Sequence, residues 1–232
     1  MEIRYNKMKV SVLGKYGPYP ALNGATSGYL VENGDTKVML DFGCGILSRI
    51  DEFTKVEKLD AIILSHTHFD HACDLLVLSY RLKTKIKLYM PIKQEGGLAQ
   101  IIKNTNAFDV IEYDETSVFD INGITVSFSQ MIHPVTSFAI KLATLDKVFV
   151  YTGDTVFNDK LINFCKGANY ILADAMQKED VKNPHMTVYD ASILSKEVGC
   201  PVLCSHCPIE NKGNALKYDN LIEVEEYDTY EI

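Results

Sequence analysis

The chain has 232 residues, of which 47% are hydrophobic and 23% charged, a balance typical of a globular protein with a sizeable core. Its net charge of −8 and the lack of a basic tail argue against a general nucleic-acid binder, which needs Lys and Arg to neutralise phosphates. No apolar run is long enough to span a bilayer, and the first residues lack the apolar centre of a signal peptide, so we expect a cytoplasmic protein.

The first part of the chain predicts three strands and a short helix. Met8–Gly14 alternates like a strand, Gly28–Asp35 is a strand entering a tight Asn-Gly turn, and Lys37–Phe42 is the return strand. A helix is expected around Ile46–Phe53. Asp41, at the end of the return strand, is interpreted as a hydrogen-bond acceptor for a metal-binding histidine, although the position also suits a turn-forming aspartate.

The strongest signal is the run His66-Thr-His68-Phe-Asp70-His71, which follows the apolar strand Ala61-Ile-Ile-Leu. His66 and His68 are two residues apart, so in an extended segment both rings point to one side. Asp70 and His71 follow where the chain turns into a helix, and they can reach a second point nearby. Imidazole nitrogens and carboxylate oxygens suit zinc and related ions, so the spacing predicts two metals side by side. The alternative is an ordinary polar turn with Asp70 as a helix N-cap.

In the second part of the chain, several apolar strands end in a histidine or an acid. These residues are Asp154 after Lys147–Tyr151, Asp174 after Tyr170–Ala173 and His206 after Pro201–Ser205. Further strands are predicted over Ile86–Met90, Phe108–Tyr113, Ser117–Ile121, Ile124–Ser129 and Ser137–Ala143, with helices over Ala72–Leu82, Gly97–Lys103, Asp159–Cys165 and from His185 through Val198. The last stretch, Glu223–Ile232, is either an edge strand or a mobile tail.

The order of these elements indicates the architecture. Strands come first, helices then alternate with strands, and the same order repeats, which predicts two sheets packed face to face with helices outside. The polar strand ends would gather along one edge. Because no linker, repeat or low-complexity segment divides the chain, we predict a single domain over residues 1–232.

The six cysteines are scattered, and we expect them to be reduced. Cys204 and Cys207 have Cys-x-x-Cys spacing, and Cys200 lies nearby. A structural zinc or a redox pair is one interpretation of this spacing, but no second pair completes a zinc site. Small buried side chains are the other interpretation.

These motifs resemble the metallo-β-lactamase-fold hydrolases over most of the chain, from Met8 to His206. The run from His66 to His71 carries the defining motif of that family, and Asp41 matches its first acidic motif. The resemblance implies an α/β fold, a four-layer αββα sandwich of two mixed sheets flanked by helices. It also implies a set of metal ligands: His66, His68, Asp70, His71, His133, Asp154 and His206.

Within that family the chain is similar to the ribonuclease Z-like phosphodiesterase branch. The features are Gly24-Ala-Thr-Ser-Gly-Tyr-Leu, a full aspartate at position 154, and Pro184-His185-Met-Thr ahead of a helix. In that branch the residue matching Asp174 pairs with the histidine matching His185. Members that process tRNA carry a long arm between the ligands matching His133 and Asp154, whereas here only residues 134–153 separate them. The chain therefore looks like a small armless bacterial member, for which a short phosphodiester or small molecule is expected rather than tRNA, and for which a homodimer is a common assembly.

The resemblance implies a mechanism at two divalent ions, with zinc expected first and manganese or iron also suited to these ligands. His66, His68 and His133 would hold one ion, and Asp70, His71 and His206 the other, with Asp154 as the bridge. A metal-bridging hydroxide would be the nucleophile, and Asp70 would orient it or take its proton. His185, held by Asp174, would contact the phosphate or protonate the leaving oxygen.

Three alternatives stay open from the sequence. The same metals can hydrolyse a thioester or lactone, which does not require His185 to contact a phosphate. A di-iron redox or sensor protein is a second alternative, although the chain has no spare length for an electron-donor domain. A scaffold that has lost catalysis is a third, although a decayed site would not need the complete ligand set.

Overall fold

The strands pair into two mixed β-sheets in the computed structural model, which describes residues 7–94, 96–175, 184–211 and 213–232. Numbered in chain order, the strands of the first sheet are, from edge to edge, β14 (Thr229–Glu231), β1 (Met8–Gly14), β2 (Gly28–Asn33), β3 (Thr36–Leu40), β4 (Ala61–Ile63), β5 (Ile86–Pro91) and β6 (Phe108–Tyr113). Pairing is antiparallel from β14 to β3 and parallel from β3 to β6.

The second sheet repeats this plan. Its strands are, from edge to edge, β7 (Val118–Ile121), β8 (Ile124–Gln130), β9 (Phe138–Ala143), β10 (Val148–Tyr151), β11 (Tyr170–Asp174), β12 (Val202–Ser205) and β13 (Leu221–Glu223). Pairing is antiparallel from β7 to β10 and parallel from β10 to β13. Both sheets are therefore mixed, as predicted.

Helices cover the outer face of each sheet. The helices are α1 (Ile46–Phe53), α2 (Phe69–Ala72), α3 (Asp74–Arg81) and α4 (Gly97–Asn104) in the first half of the chain, and α5 (Asp159–Cys165) and α6 (Val188–Val198) in the second half. One apolar cluster joins α1, α3 and α4 to the first sheet, and another joins α5 and α6 to the second. The four-layer αββα sandwich is confirmed. In the part of the chain that the structure describes, no helix has the length and apolar character of a transmembrane segment.

The interior between the two sheets is a layer of apolar and aromatic side chains. Tyr113 stacks on Phe128 with ring centroids 3.7 Å apart, and Phe138 packs edge-on against Tyr113 at 5.2 Å. Phe149 of the second sheet is fully buried in the same layer. Burial of this area is the main stabilising contribution to the sandwich.

Three predicted boundaries differ from the structure. The helix predicted from Ala72 begins earlier, because Phe69–Ala72 already forms a helical turn that contains Asp70 and His71. Glu223–Ile232 contributes the edge strand β14, so the mobile-tail alternative is wrong for the residues of that strand. The strand β13, which the sequence analysis does not separate from the last stretch of the chain, pairs with β12 at the edge of the second sheet.

The six cysteines are free thiols. Cys200, Cys204 and Cys207 are buried in the apolar layer under α6. Among the described residues no cluster of metal-ligating atoms includes these three thiols, so their packing favours the interpretation as small buried side chains.

Candidate metal centre

All six histidines of the chain converge at one edge of the sandwich. The parallel strands β10, β11 and β12 end together there, because Tyr151 pairs with Leu172 and Asp174 pairs with Ser205. In the facing sheet β3 and β4 end level with each other, and Asp41 and His66 follow them. Chain topology thus places residues that are far apart in sequence around one point.

Two residues of this edge have a left-handed backbone, Asp41 with φ of 56° and His206 with φ of 57°. This region is uncommon for residues other than glycine, and each such residue costs on the order of 1 kcal/mol. Both follow the last residue of a strand, where the turn aims the side chain back over the sheet edge. Strain of this kind persists where the surroundings hold it, typically at functional sites.

Asp41 is a hydrogen-bond acceptor for one predicted ligand, His71, as expected from its position, and it reaches a second, His66, through Ser65. It is fully buried, and its carboxylate accepts hydrogen bonds from His71 Nδ1 at 2.7 Å and from Ser65 Oγ at 2.8 Å. Ser65 Oγ in turn lies 3.0 Å from Nδ1 of His66. In both rings a hydrogen bond within the protein therefore holds Nδ1, and Nε2 faces the centre of the site. Residues that lie behind metal-binding histidines commonly orient the rings in this way.

The first predicted donor set is compact. Nδ1 of His68 lies 3.0 Å from Nε2 of His66 and 3.3 Å from Nε2 of His133. The Asp154 carboxylate is 3.6 Å from the His66 nitrogen and 3.9 Å from the His133 nitrogen. These four side chains place one ligand atom each within 4.8 Å of one another. Three nitrogens and one carboxylate oxygen at this spacing match the donor types of a zinc-like site.

The second predicted donor set shares Asp154 with the first. Its carboxylate Oδ2 lies 3.3 Å from Nε2 of His71 and 3.4 Å from Nε2 of His206. The Asp70 carboxylate is 3.2 Å from the His206 nitrogen and 3.6 Å from the His71 nitrogen. A Cβ at Gly17 would overlap the His206 ring, so the loop after β1 packs directly on this side of the site.

Unsatisfied buried atoms indicate that a cation belongs here. Within the described ranges, the buried Oδ1 of Asp154 has no hydrogen-bond partner, and the buried Nε2 of His71 forms no well-oriented hydrogen bond, although carboxylates of Asp154 and Asp70 lie 3.3 and 3.6 Å away. A buried polar group without a partner is costly, whereas a metal ion would satisfy nitrogen and carboxylate donors together. The residues present therefore fit the divalent ions that the sequence predicts.

Burial and charge divide the histidines into two groups. Burial lowers the pKa of His66 well below its usual value and that of His133 to about 4, so both rings are neutral near pH 7. Burial also disfavours charge on His206, but Asp154 and Asp174 raise its pKa to about 9. Burial alone would raise the pKa of Asp154, yet the histidines around it hold the pKa well below its usual range. The carboxylates around the second donor set therefore favour a positive charge at that position.

His185 and Asp174 form a close pair beside the two donor sets. Nδ1 of His185 donates to the Asp174 carboxylate at 2.6 Å and lies 3.8 Å from Asp154. Burial lowers the pKa of His185, but Asp174 outweighs it and the net pKa is raised. Thr187 caps α6 through a reciprocal contact with Asp190, which fixes the backbone just after His185.

The sequence interpretation missed three of the four donors to Asp41, among them the Ser65 hydroxyl described above. The backbone N–H of Ser65 donates to it at 2.7 Å, and the Tyr151 hydroxyl donates at 2.7 Å. Their only sequence signals are that Ser65 precedes His66 and that Tyr151 ends the strand before Asp154. All nine predicted site residues and Asp41 lie in this one cluster.

A family model described as the β-lactamase superfamily domain matches residues 36–204. The chain belongs to this superfamily. The match spans both sheets and includes every predicted site residue except His206. The resemblance to metallo-β-lactamase-fold proteins of the ribonuclease Z-like branch is confirmed.

Individual relatives and solved structures also match most of the chain. The probable metallo-hydrolase YhfI of Bacillus subtilis (strain 168) is 32% identical over 213 residues, which are 87% of each chain. Its crystal structure has a TM-score of 0.90 at 28% identity, covering 97% of this chain and 99% of that one. A ribonuclease Z of Mycobacterium bovis is 24% identical over 259 residues, covering 94% and 92%. A diphosphatase of the PhnP family has a TM-score of 0.75 at 17% identity over 97% and 98%, which shows the shared fold alone.

Proposed function

We propose that the protein is a binuclear metal-dependent hydrolase that cleaves small or short phosphodiesters. The observation that carries the proposal is the pair of donor sets that meet at Asp154, whose Oδ2 lies 3.6 Å from His66, 3.3 Å from His71 and 3.4 Å from His206. Similarity to a probable metallo-hydrolase and to a ribonuclease Z supports hydrolysis and a phosphodiester, respectively.

The proposed metal ligands divide as the sequence predicts. His66, His68 and His133 would hold one ion, Asp70, His71 and His206 would hold the other, and Asp154 would be a ligand shared by both. We propose zinc, because neutral imidazoles and carboxylates in a small buried site suit it, and manganese or iron remain the alternatives. Divalent ions bound to these residues would supply a water of lowered pKa and would polarise a phosphoryl oxygen.

His185 is proposed to supply the proton for the leaving oxygen. Its Nδ1 is engaged by Asp174 at 2.6 Å, so Nε2 is the ring atom left for a substrate. Because Asp174 raises the pKa of His185, the ring retains a proton more readily than a free histidine does. Asp174 positions the ring, and its other oxygen lies 3.5 Å from Nδ1 of His206.

Asp70 is proposed to have two roles. It lies at the start of α2, where its carboxylate faces both His71 and His206. Burial would raise its pKa, but the charge of His71 and the contact with His206 lower it, so Asp70 is ionised. An ionised carboxylate at this position can orient a nucleophilic water or accept its proton.

The chain between His133 and Asp154 supports a small substrate. Half of residues 134–153 form β9 and β10, which pair with each other as a hairpin inside the second sheet. This segment therefore contains no arm that could grip a tRNA. Together with the net charge of −8, it favours a short phosphodiester over a folded nucleic acid.

Turnover of bis(p-nitrophenyl) phosphate by zinc-loaded protein tests the proposal, run beside a thioester and a lactone. We expect metal-dependent cleavage of the phosphodiester, and we expect His185→Ala to reduce this cleavage while zinc content is retained. Preferential cleavage of the thioester or lactone, with His185→Ala as active as the parent protein, would replace the phosphodiesterase proposal with acyl hydrolysis.

A further inference from the structure

Two thiols meet beside the metal centre without belonging to either donor set. Sγ of Cys44, Sγ of Cys73 and an Asp74 carboxylate oxygen lie within 4.8 Å of one another. Cys44 is exposed and Cys73 is partly exposed, whereas the other four cysteines are buried. This is the one close thiol pair with solvent access among the cysteines, all of which lie in the described ranges.

Backbone hydrogen bonds hold both cysteines in place. The N–H of Cys44 donates to the Thr26 hydroxyl at 2.7 Å, and the N–H of Thr26 donates to the Cys44 carbonyl at 2.9 Å. The N–H of Cys73 donates to the Phe69 carbonyl at 3.0 Å. These hydrogen bonds fix the backbone at Cys44 and at Cys73, so the packing of the two segments keeps the thiols close together.

The nearby Asp74 carboxylate accepts hydrogen bonds from the N-terminal end of α1, which argues against a third metal site. Asp74 Oδ2 accepts the N–H of Leu47 at 2.9 Å, and the amides of Gly45 and Ile46 also bond to this carboxylate. The cluster is left with two thiols, whereas a structural zinc site normally takes four protein ligands. Two adjacent thiols without further ligands suit disulfide chemistry.

We propose that Cys44 and Cys73 are a redox pair that closes to a disulfide when the protein meets hydrogen peroxide. The Cys44 thiolate attacks one peroxide oxygen, the O–O bond breaks, and a sulfenic acid and hydroxide form. The Cys73 sulfur then attacks the Cys44 sulfur, the S–O bond breaks, and water leaves. In total, two thiols and one peroxide give one disulfide and two waters.

The difference in solvent exposure between the two cysteines indicates which of them reacts with peroxide first. Cys44 is the more exposed thiol, so peroxide reaches it first.

The disulfide would connect the two segments that carry Asp41 and His71. Cys44 follows Asp41 by three residues, Cys73 follows His71 by two, and the N–H of Phe42 donates to the His71 carbonyl at 2.7 Å. A crosslink here restricts the separation of these segments, so oxidation should slow the loss of metal from His71. This consequence, unlike the disulfide itself, rests on the proposed metal centre.

Peptide mapping tests the disulfide. Reduced protein is treated with one equivalent of hydrogen peroxide, free thiols are alkylated, and the digest is analysed without reduction. We expect a Cys44–Cys73 linked peptide that dithiothreitol cleaves, absent in Cys44→Ser and retained in the control Cys200→Ser. Oxidation of Cys44 to sulfinic acid with Cys73 still free, or linkage of the buried cysteines first, would overturn the proposal.

Metal release tests the coupling separately. Zinc-loaded protein, reduced or oxidised, is mixed with excess EDTA, and released zinc is followed with a colorimetric indicator. We expect release to be several-fold slower from the oxidised protein and independent of peroxide in Cys44→Ser. Equal release rates with the disulfide present would refute the coupling but leave the redox pair, whereas a protein that binds no zinc would refute the proposed metal centre.

Discussion

The interior between the sheets and the edge beside it are both buried, yet they are built from opposite chemistry. In the interior, aromatic rings such as Tyr113 and Phe128 stack 3.7 Å apart and exclude water. At the edge, the rings of His66 and His71 are 4.2 Å apart among buried carboxylates. Burial of apolar rings stabilises the fold, whereas burial of titratable groups costs free energy unless ions or hydrogen bonds compensate. The contrast separates what maintains the sandwich from what we propose performs chemistry.

The same contrast explains the pattern of unsatisfied atoms. In the described part of the chain, Asp154 leaves a buried oxygen without a hydrogen-bond partner, and the buried Nε2 of His71 forms no well-oriented hydrogen bond. Buried polar atoms without a hydrogen-bond partner tend to mark functional sites, because a bound ligand supplies the missing partner. Substitutions at the edge should therefore change metal binding and turnover, and substitutions in the interior should change stability.

The largest expected effect is that of Asp154→Ala. Removing the proposed bridge leaves both donor sets incomplete, so we expect loss of bound metal and turnover reduced to background. Metal content by mass spectrometry and phosphodiester turnover measure this, with Asp109→Ala as control, because Asp109 is an exposed aspartate in a loose contact with Lys85. Retention of both metals by Asp154→Ala would contradict its bridging role.

His185→Ala should separate chemistry from metal binding. Loss of the proton donor should lower kcat about 10²–10⁴-fold, as is typical for general acid–base residues. The metal content should not change, because His185 is outside both proposed donor sets. The pH profile of kcat should also lose the limb that reports protonated His185. A normal kcat would exclude the catalytic role.

Phe149→Ala tests the other side of the comparison. Phe149 is fully buried between the sheets, so truncation should lower the free energy of unfolding by about 3–5 kcal/mol. Leu145→Ala is the matched control, because Leu145 is 100% exposed near the same strand and should change stability by less than about 0.5 kcal/mol. Urea unfolding curves measure both. Equal effects would mean that the interior does not dominate stability.

Asp41→Asn should give the smallest of these effects. The amide offers one acceptor oxygen where the carboxylate receives four hydrogen bonds, so the His71 ring loses its fixed orientation. We expect metal affinity to fall about 10–100-fold. Tyr151→Phe removes only one of the four donors and should cost less. A weaker effect of Asp41→Asn than of Tyr151→Phe in zinc titrations would contradict the orienting role.

The sequence predicts the edge better than it predicts the contacts behind it. The run from His66 to His71 is local, and Asp154 and His206 follow apolar strands, so motif and periodicity find them. The hydrogen bond between Tyr151 and Asp41 joins residues 110 positions apart. The close approach of Gly17 to the His206 ring depends on how a loop crosses the sheet edge. Neither leaves a periodic pattern, because both arise only when the two sheets pack.

Boundaries were less predictable for a similar reason. The apolar pattern of the helix after the motif begins at Ala72, but the turn Phe69–Ala72 is already helical and places Asp70 and His71 beside His206. The edge strand β14 is polar, and its pairing with β1 comes from tertiary hydrogen bonds and not from an apolar alternation.

The central claim is that two metal ions share the edge of the sandwich through Asp154. The most direct measurement is the metal stoichiometry of purified, zinc-reconstituted protein by mass spectrometry. We predict about two ions per chain, because the structure offers two donor sets that share one carboxylate. Absence of bound metal after reconstitution would contradict the account, and one ion per chain would contradict the binuclear site.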